Sequence, residues 1–285
     1  MSANEILRHT RDGLTHEALA GGPPGGPVAL LLHGFPQDGT AWDRVSPALQ
    51  EAGLRTLAPH QRGYAEGARP RRVAAYRLER LVEDALGLLD HVGADRAHVV
   101  GHDWGGAVAW ALAAWHPDRV ATLTVASTPH PRALAWAVRH ADQARRSWYI
   151  AGFQAPVLPE LVMVRALRRG ALVRTGLPEE DARRYAARLG TRAALRGPVG
   201  WYRAAARPGG RPVGRVEVPT TLVWGTRDPF LGRAAAERTA RSVSGPYRFV
   251  ELDAGHWLPE RRAAELAQEV LHRSGEVPGS RPAEG

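Results

Sequence analysis

A chain of 285 residues with 44 % hydrophobic content is long enough for one large α/β core, with or without an inserted subdomain. The lack of cysteine excludes disulfides and thiolate metal sites. The formal charge is +9 and all 38 basic residues are arginine. Residues 132–216 hold 17 of them against five acids, which leaves the other 200 residues at about −3. No zinc-finger, helix-turn-helix or RNA-binding signature accompanies that basic segment. Arginine solvating helix faces in an Ala-, Gly- and Pro-rich composition accounts for it, so neither nucleic acid nor a membrane is expected as a partner. Anion binding by this segment and the oligomeric state stay open. The N-terminus mixes charge throughout and has no apolar signal core. The longest apolar run, "AVAWALAAW" (107–115), is far short of the ~18 residues of a membrane span. A cytoplasmic protein is expected.

Taken in chain order, "GGPPGGP" (21–27) forms a turn, and "PVALLLHGF" (27–35) is a continuous apolar run ending in glycine, the pattern of a buried strand. Residues 53–60 give a second strand. Residues 77–93 repeat Leu78, Leu81, Val82, Ala85, Leu88 and Leu89 at helical spacing and stop at Gly93. A strand over 97–101, a helix over 104–116 and a strand over 120–127 continue the alternation, which predicts a parallel sheet wrapped by helices. The alternation breaks at "TPHPRALAW" (128–136), and from there to 212 the chain is Arg/Ala-rich and helical in tone. Strand character returns at 218–225. A helix over 231–242, a strand over 247–253, a helix over 258–273 and a frayed tail over 274–285 follow. The division is an α/β core at 1–131 and 213–285, interrupted by a helical cap at 132–212.

Three candidate groups follow predicted strands, where open α/β sheets place their ligand crevice. Asp103 lies in "VVGHDWGGAVAW", a G-x-(nucleophile)-x-G sequence between strand and helix, where a sharp turn pushes the nucleophile over the sheet. Asp228 lies in "VWGTRDPF" and His256 in "ELDAGHW". Their order of nucleophile, acid and histidine is that of an α/β-hydrolase triad. Taken singly, Asp228 also suits a helix N-cap and His256 a buried structural histidine. Asp253 is near His256 but is expected on the strand itself. In "HGFPQ" (33–37), Pro36 has no N–H, so the Phe35 amide is the one free to point inward. With the Trp104 amide it makes two donors for an oxyanion.

"HGFPQ" and "GHDWGGAVAW" resemble the oxyanion and nucleophile motifs of the cap-bearing, Asp-nucleophile epoxide hydrolases of the α/β-hydrolase fold, and the resemblance spans roughly residues 27–258. Two cap segments, "RRSWYIAGFQAPVLPE" (145–160) and "LRGPVGWYRAA" (195–205), match segments that in that family carry a tyrosine bonding the epoxide oxygen. The resemblance implies that role for Tyr149 and Tyr202. Tyr185 has no motif behind it and is expected to be structural. The loop "PHQRGYAEG" (59–67) departs from the family, with His60 where relatives often have Asp; it is expected to shape the rim of the site. Trp104, Trp148, Trp201 and Trp257 suggest an apolar, aromatic-lined pocket, with core filling as the alternative.

An aspartate nucleophile suits saturated carbon. A carboxylate of reference pKa ~3.9 is already ionised at neutral pH and needs no base for attack, and it forms an ordinary ester there. The expected substrate is a small apolar epoxide, with water as second substrate and no metal or organic cofactor. Asp103 would open the ring, Tyr149 and Tyr202 would donate to the leaving oxygen, and His256, oriented by Asp228, would activate water against the ester. Two alternatives remain: a haloalkane or haloacid dehalogenase on the same scaffold, for which a second halide donor beside Trp104 is not evident, and a non-catalytic binding protein that keeps the fold.

Overall fold

The computed structural model describes residues 5–275. Eight strands, β1 (Glu5–Arg11), β2 (Leu14–Gly21), β3 (Val28–Leu32), β4 (Arg55–His60), β5 (Ala97–His102), β6 (Val120–Ala126), β7 (Thr220–Gly225) and β8 (Tyr247–Leu252), form one sheet in the order β1-β2-β4-β3-β5-β6-β7-β8. The pairs β1/β2 and β2/β4 are antiparallel and all the others parallel. Every residue of β3, β5 and β7 is buried, because helices cover both faces of a parallel sheet and leave no solvent side for polar alternation. Helix Leu78–His91 turns Leu81, Val82, Ala85, Leu88 and Leu89 inward. Helix Trp104–Trp115 is apolar nearly all round and is buried accordingly.

The antiparallel β1–β2 hairpin is absent from the expected elements, which begin at residue 21 and take the N-terminal segment only as mixed in charge and without an apolar signal core. Its signal was the Asp12-Gly13 pair. Both residues have positive φ (50° and 73°), the backbone that a tight two-residue hairpin turn demands. The tail expected over 274–285 lies, beyond residue 275, outside the described residues. Among the described residues no helix is long and apolar enough to cross a membrane.

Between β6 and β7 the chain forms seven helical segments, from Pro131–His140 to Arg192–Ala205. They are tied to the sheet-bearing part by polar contacts whose carboxylates are buried. Arg44 Nη1 donates to Asp181 Oδ2 at 2.7 Å, Arg188 pairs with Asp38 at 3.3 Å, and Tyr185 donates to Glu260 Oε1 at 2.9 Å. Loop 59–67 does not shape a rim as expected. Residues 59–65 are buried against helix Arg192–Ala205, where Trp201 Nε1 donates to the Arg62 carbonyl at 2.9 Å and Tyr64 packs edge-on against Trp201. The approach is so close that a Cβ on Gly197 would lie 2.5 Å from Gly63 Cα, which only glycine at that helix position permits. His60 accepts the Gly39 N–H at 3.1 Å and stays inside this loop packing.

Candidate active site

The end of β5 turns sharply into helix Trp104–Trp115. Asp103, at the bend, adopts φ 49° and ψ −119°, strained for a residue with a Cβ. The bend closes because residue 105 is glycine: a Cβ there would stand 2.1 Å from the Leu32 carbonyl oxygen. Asp103 is thereby lifted over the C-terminal edge of the sheet. Its Oδ1 accepts the Phe35 N–H at 2.7 Å, and the Trp104 amide also bonds the carboxylate. Thr128 Oγ1 fixes the backbone by donating to the Asp103 carbonyl at 2.8 Å. Burial raises the Asp103 carboxyl above its ordinary value, against the pull of His256 and of the two amides.

His256 follows β8. Its Nδ1 donates to Asp228 Oδ2 at 2.8 Å, which leaves Nε2 facing Asp103 Oδ2 at 3.8 Å. Asp228 fills both roles its sequence position allows. Its Oδ1 accepts the amides of Phe230 (2.8 Å) and Leu231 (3.0 Å), capping the turn after β7, and its Oδ2 orients the imidazole. Burial lowers His256, but the Asp228 charge and hydrogen bond and the Asp103 charge outweigh it and hold the ring above the ordinary histidine value. Asp253 lies one residue beyond β8 rather than on it, paired with Arg227 at the surface.

A cavity of about 410 Å³ opens over Asp103 and His256, with Phe35, Phe153, Met163, Leu172 and Phe230 among its apolar walls. Tyr149, on helix Tyr149–Gly152, and Tyr202, on helix Arg192–Ala205, line the same cavity, their rings 6.4 Å apart and their side chains hydrogen-bonded. Burial first, then neighbouring charge including that of Asp103, pushes both phenols above the ordinary tyrosine value. Both therefore stay protonated as donors at neutral pH. Of the four tryptophans singled out in the sequence, Trp148 and Trp257 line the cavity. Trp104 and Trp201 do not: the Trp104 ring stands edge-on to Tyr202 at 4.9 Å and to Trp201 at 5.9 Å, supporting the tyrosine instead of meeting a ligand.

Sequence reasoning missed a buried polar chain behind the site. Gln37 Oε1 accepts the Gly34 N–H at 2.7 Å, and Gln37 Nε2 donates to Glu260 Oε1 at 2.8 Å. His102 bridges Gln37 Oε1 and the His256 carbonyl, 2.9 Å from each, and Ser127 Oγ donates to the same carbonyl at 2.9 Å. These contacts lock the loop that presents the Phe35 amide to the loop that presents the imidazole. Burial pushes the Glu260 carboxyl up to about 7, against hydrogen bonds from Gln37 and Tyr185 that favour its charged form. Gln37 and His102 lie inside the quoted motifs. Glu260, four residues past His256, had no local signal.

This fold and this arrangement define an α/β hydrolase with a carboxylate at the nucleophile position, and the chain belongs to the α/β-hydrolase fold family, whose model matches residues 27–263. It is 35 % identical to epoxide hydrolase A of Mycobacterium tuberculosis, over 91 % of this chain and 94 % of that protein. It is 34 % identical to the AB hydrolase superfamily protein YfhM of Bacillus subtilis, over the same shares of each. The structure of an epoxide hydrolase found in metagenomes from hot environments superposes with a TM-score of 0.83 at 28 % identity, covering 95 % of this chain and 99 % of the other. Within the family the chain stands among the epoxide hydrolases.

Proposed function

We propose that the protein hydrolyses a small to medium-sized apolar epoxide to a vicinal diol through a covalent ester on Asp103, with residues 132–212 acting as a cap over the core. The observation that carries this is that two phenols, Tyr149 and Tyr202, both pushed above the ordinary tyrosine value, line the same apolar cavity as the Asp103 carboxylate. The Phe35 amide holds Oδ1 and Oδ2 faces His256 Nε2, so Oδ2 is the attacking oxygen. Oδ2 forms a bond to one epoxide carbon as that carbon's bond to the ring oxygen breaks, and a phenol donates to the oxygen as it takes up the electron pair. Acid assistance of this kind is worth about 10²–10⁴-fold.

In the second stage His256 Nε2 takes a proton from water, and the hydroxide adds to Cγ of the ester. Negative charge develops on Oδ1, which already accepts the Phe35 amide, with the Trp104 amide beside it on the same carboxylate, and each such donor is worth about 3–4 kcal/mol. Collapse expels the oxygen that was Oδ2, which takes the proton held by His256 and leaves as the diol's second hydroxyl. The carboxyl keeps the oxygen of water and gives up its remaining proton, which restores the phenol that protonated the ring oxygen. The small, apolar lining selects an uncharged substrate, and the related epoxide hydrolases support the class.

A single turnover in heavy-oxygen water tests the ester. The first diol formed carries no heavy oxygen, whereas direct attack by water would label it at once. With His256→Gln the ester is expected to accumulate as a mass increase on the peptide containing Asp103. Turnover by that variant at the wild-type rate would remove His256 as the base, and halide release from haloalkanes without diol formation would favour the dehalogenase.

A further inference from the structure

Six of the eight large hydrophobic side chains that stand exposed among the described residues fall in one stretch, between Trp148 and Val173. Trp148 is 74 % exposed, Leu158 60 %, Val162 56 % and Leu161 51 %. On helix Leu158–Arg168 the last three share one face by their i, i+3, i+4 spacing, and Arg165 continues that face a turn later. Trp148, Leu158 and Val162 also line the cavity, so this apolar surface is the lip of the substrate entrance.

Charge around the lip is one-sided. Residues 143–178 contain six arginines and a single acid, Glu160, which is buried with both oxygens on Arg203. Arg145, Arg165, Arg168, Arg169 and Arg174 are exposed and, among the described residues, have no carboxylate partner, unlike Arg183, Arg184 and Arg188 further along the chain. An apolar centre with an exposed tryptophan, ringed by unpaired arginine, is complementary to an anionic lipid surface: acyl and glycerol regions for the centre, phosphates for the ring.

We propose that the cavity mouth is a docking face for anionic bilayers. Trp148, Leu158, Leu161 and Val162 enter the headgroup region while Arg165, Arg168, Arg169 and Arg174 pair with lipid phosphates. This revises the sequence expectation that no membrane partner exists. A second copy of the chain does not fit the face, because two basic rings would meet. Nucleic acid does not fit it, because its centre is apolar. Resting on the proposed epoxide substrate, the docking also explains supply: an apolar epoxide concentrated in the bilayer enters the cavity without crossing water.

The test is co-sedimentation with phosphatidylcholine vesicles, with and without phosphatidylglycerol, at low and high salt. Wild-type protein is expected to bind the anionic vesicles about tenfold or more tightly than neutral ones and to lose that preference at high salt. A triple variant, Leu161→Ser with Arg165→Gln and Arg169→Gln, changes no cavity-lining residue. It is expected to bind about tenfold more weakly or worse, to hydrolyse a water-soluble epoxide at the wild-type rate, and to slow on an epoxide carried in vesicles. Wild-type protein left in the supernatant with anionic vesicles would overturn the proposal, as would equal binding by the variant. Absence of vesicle binding together with a dimer in sedimentation velocity that the variant abolishes would assign the face to a second copy. Vesicle binding without hydrolysis of any epoxide would leave the docking standing and remove the proposed activity.

Discussion

Tyr202 packs edge-on against Phe35 at 5.3 Å and Phe153 at 4.7 Å, so a phenylalanine in its place keeps the ring contacts and loses only the hydroxyl. The same holds for Tyr149 against Phe230 at 6.1 Å. Tyr149→Phe and Tyr202→Phe are each expected to slow ring opening roughly tenfold, because one donor remains, and the double variant by about 10³–10⁴, well beyond the roughly hundredfold product of the two single losses. Rapid-quench rates of adduct formation check this, and simple additivity of two small losses would remove the shared-donor role. Glu260 makes a prediction of a different kind. Its carboxyl binds a proton up to about 7 in the folded protein, against 4.5 in an unfolded chain, so the folded state holds the extra proton between those values. Stability from this group is complete below 4.5 and is lost as pH rises through about 7, a difference of about 3 kcal/mol. Glu260→Gln keeps an acceptor for Gln37 and Tyr185 and cannot ionise, so wild type minus variant should lose about 3 kcal/mol across that window in urea unfolding. A pH-independent difference would contradict it. The contrast between these residues marks what was legible. Asp103, Asp228 and His256 each follow an apolar run with a turn behind it, so sequence alone singled them out, and the structure brings them together. Glu260, Gln37 and His102 form a unit only when three loops meet, and no local spacing encodes that meeting.

Elements of the parallel sheet were legible because a strand buried on both faces is a continuous apolar run. The β1–β2 hairpin buries His9, His16, Ala18 and Ala20, polar or small residues that do not read as a large apolar period. Its pairing register sets His9 against His16 and Thr10 against Thr15, polar partners that carry no apolar period. The helical tone of the segment that holds Arg192–Ala205 was legible, but neither that helix's bounds nor the surface it rests on was, since two glycines far apart in sequence decide the contact. Gly63 and Gly197 let two backbones touch, and the same helix delivers Tyr202 to the cavity a little over one turn later. Gly197→Ala places a methyl group against Gly63 backbone atoms at 2.5 and 2.6 Å, where no side chain can swing away. The helix must lift, at a cost of about 1–3 kcal/mol in stability. Displacing Tyr202 by even a fraction of an ångström is expected to lower the ring-opening rate roughly 10–100-fold. Thermal unfolding and adduct-formation kinetics on one preparation check both. Unchanged kinetics in a destabilised variant would show that the glycine contact supports the fold without aiming the phenol.

Across the whole molecule the charge is unevenly shared, about +12 in residues 132–216 against −3 in the remainder. That imbalance draws the two parts together weakly, because exposed charges beyond about 10 Å are screened at ordinary salt. What holds the seam is local. Asp181 is fully buried and receives Arg44 from one side and Arg184 from the other, at 2.7 and 2.8 Å. Arg188 reaches across to Asp38, and Tyr185 to Glu260. Helix Glu179–Leu189 thus serves as the clamp, while the helices that carry the apolar lip have few polar ties to the core. Asp181→Asn removes the charge at the centre of the clamp without changing its shape. Both arginines are partly exposed and can turn to solvent, so the loss is set at about 1.5–3 kcal/mol, the range for hydrogen bonds to charged groups. Hydrogen exchange should rise across Glu179–Leu189 and remain slow in β3 and β5, since those strands are buried on both faces and independent of the clamp. If exchange rose equally in β3 and β5, the cap and the sheet would be one cooperative unit, and the seam would not be the place where the molecule opens.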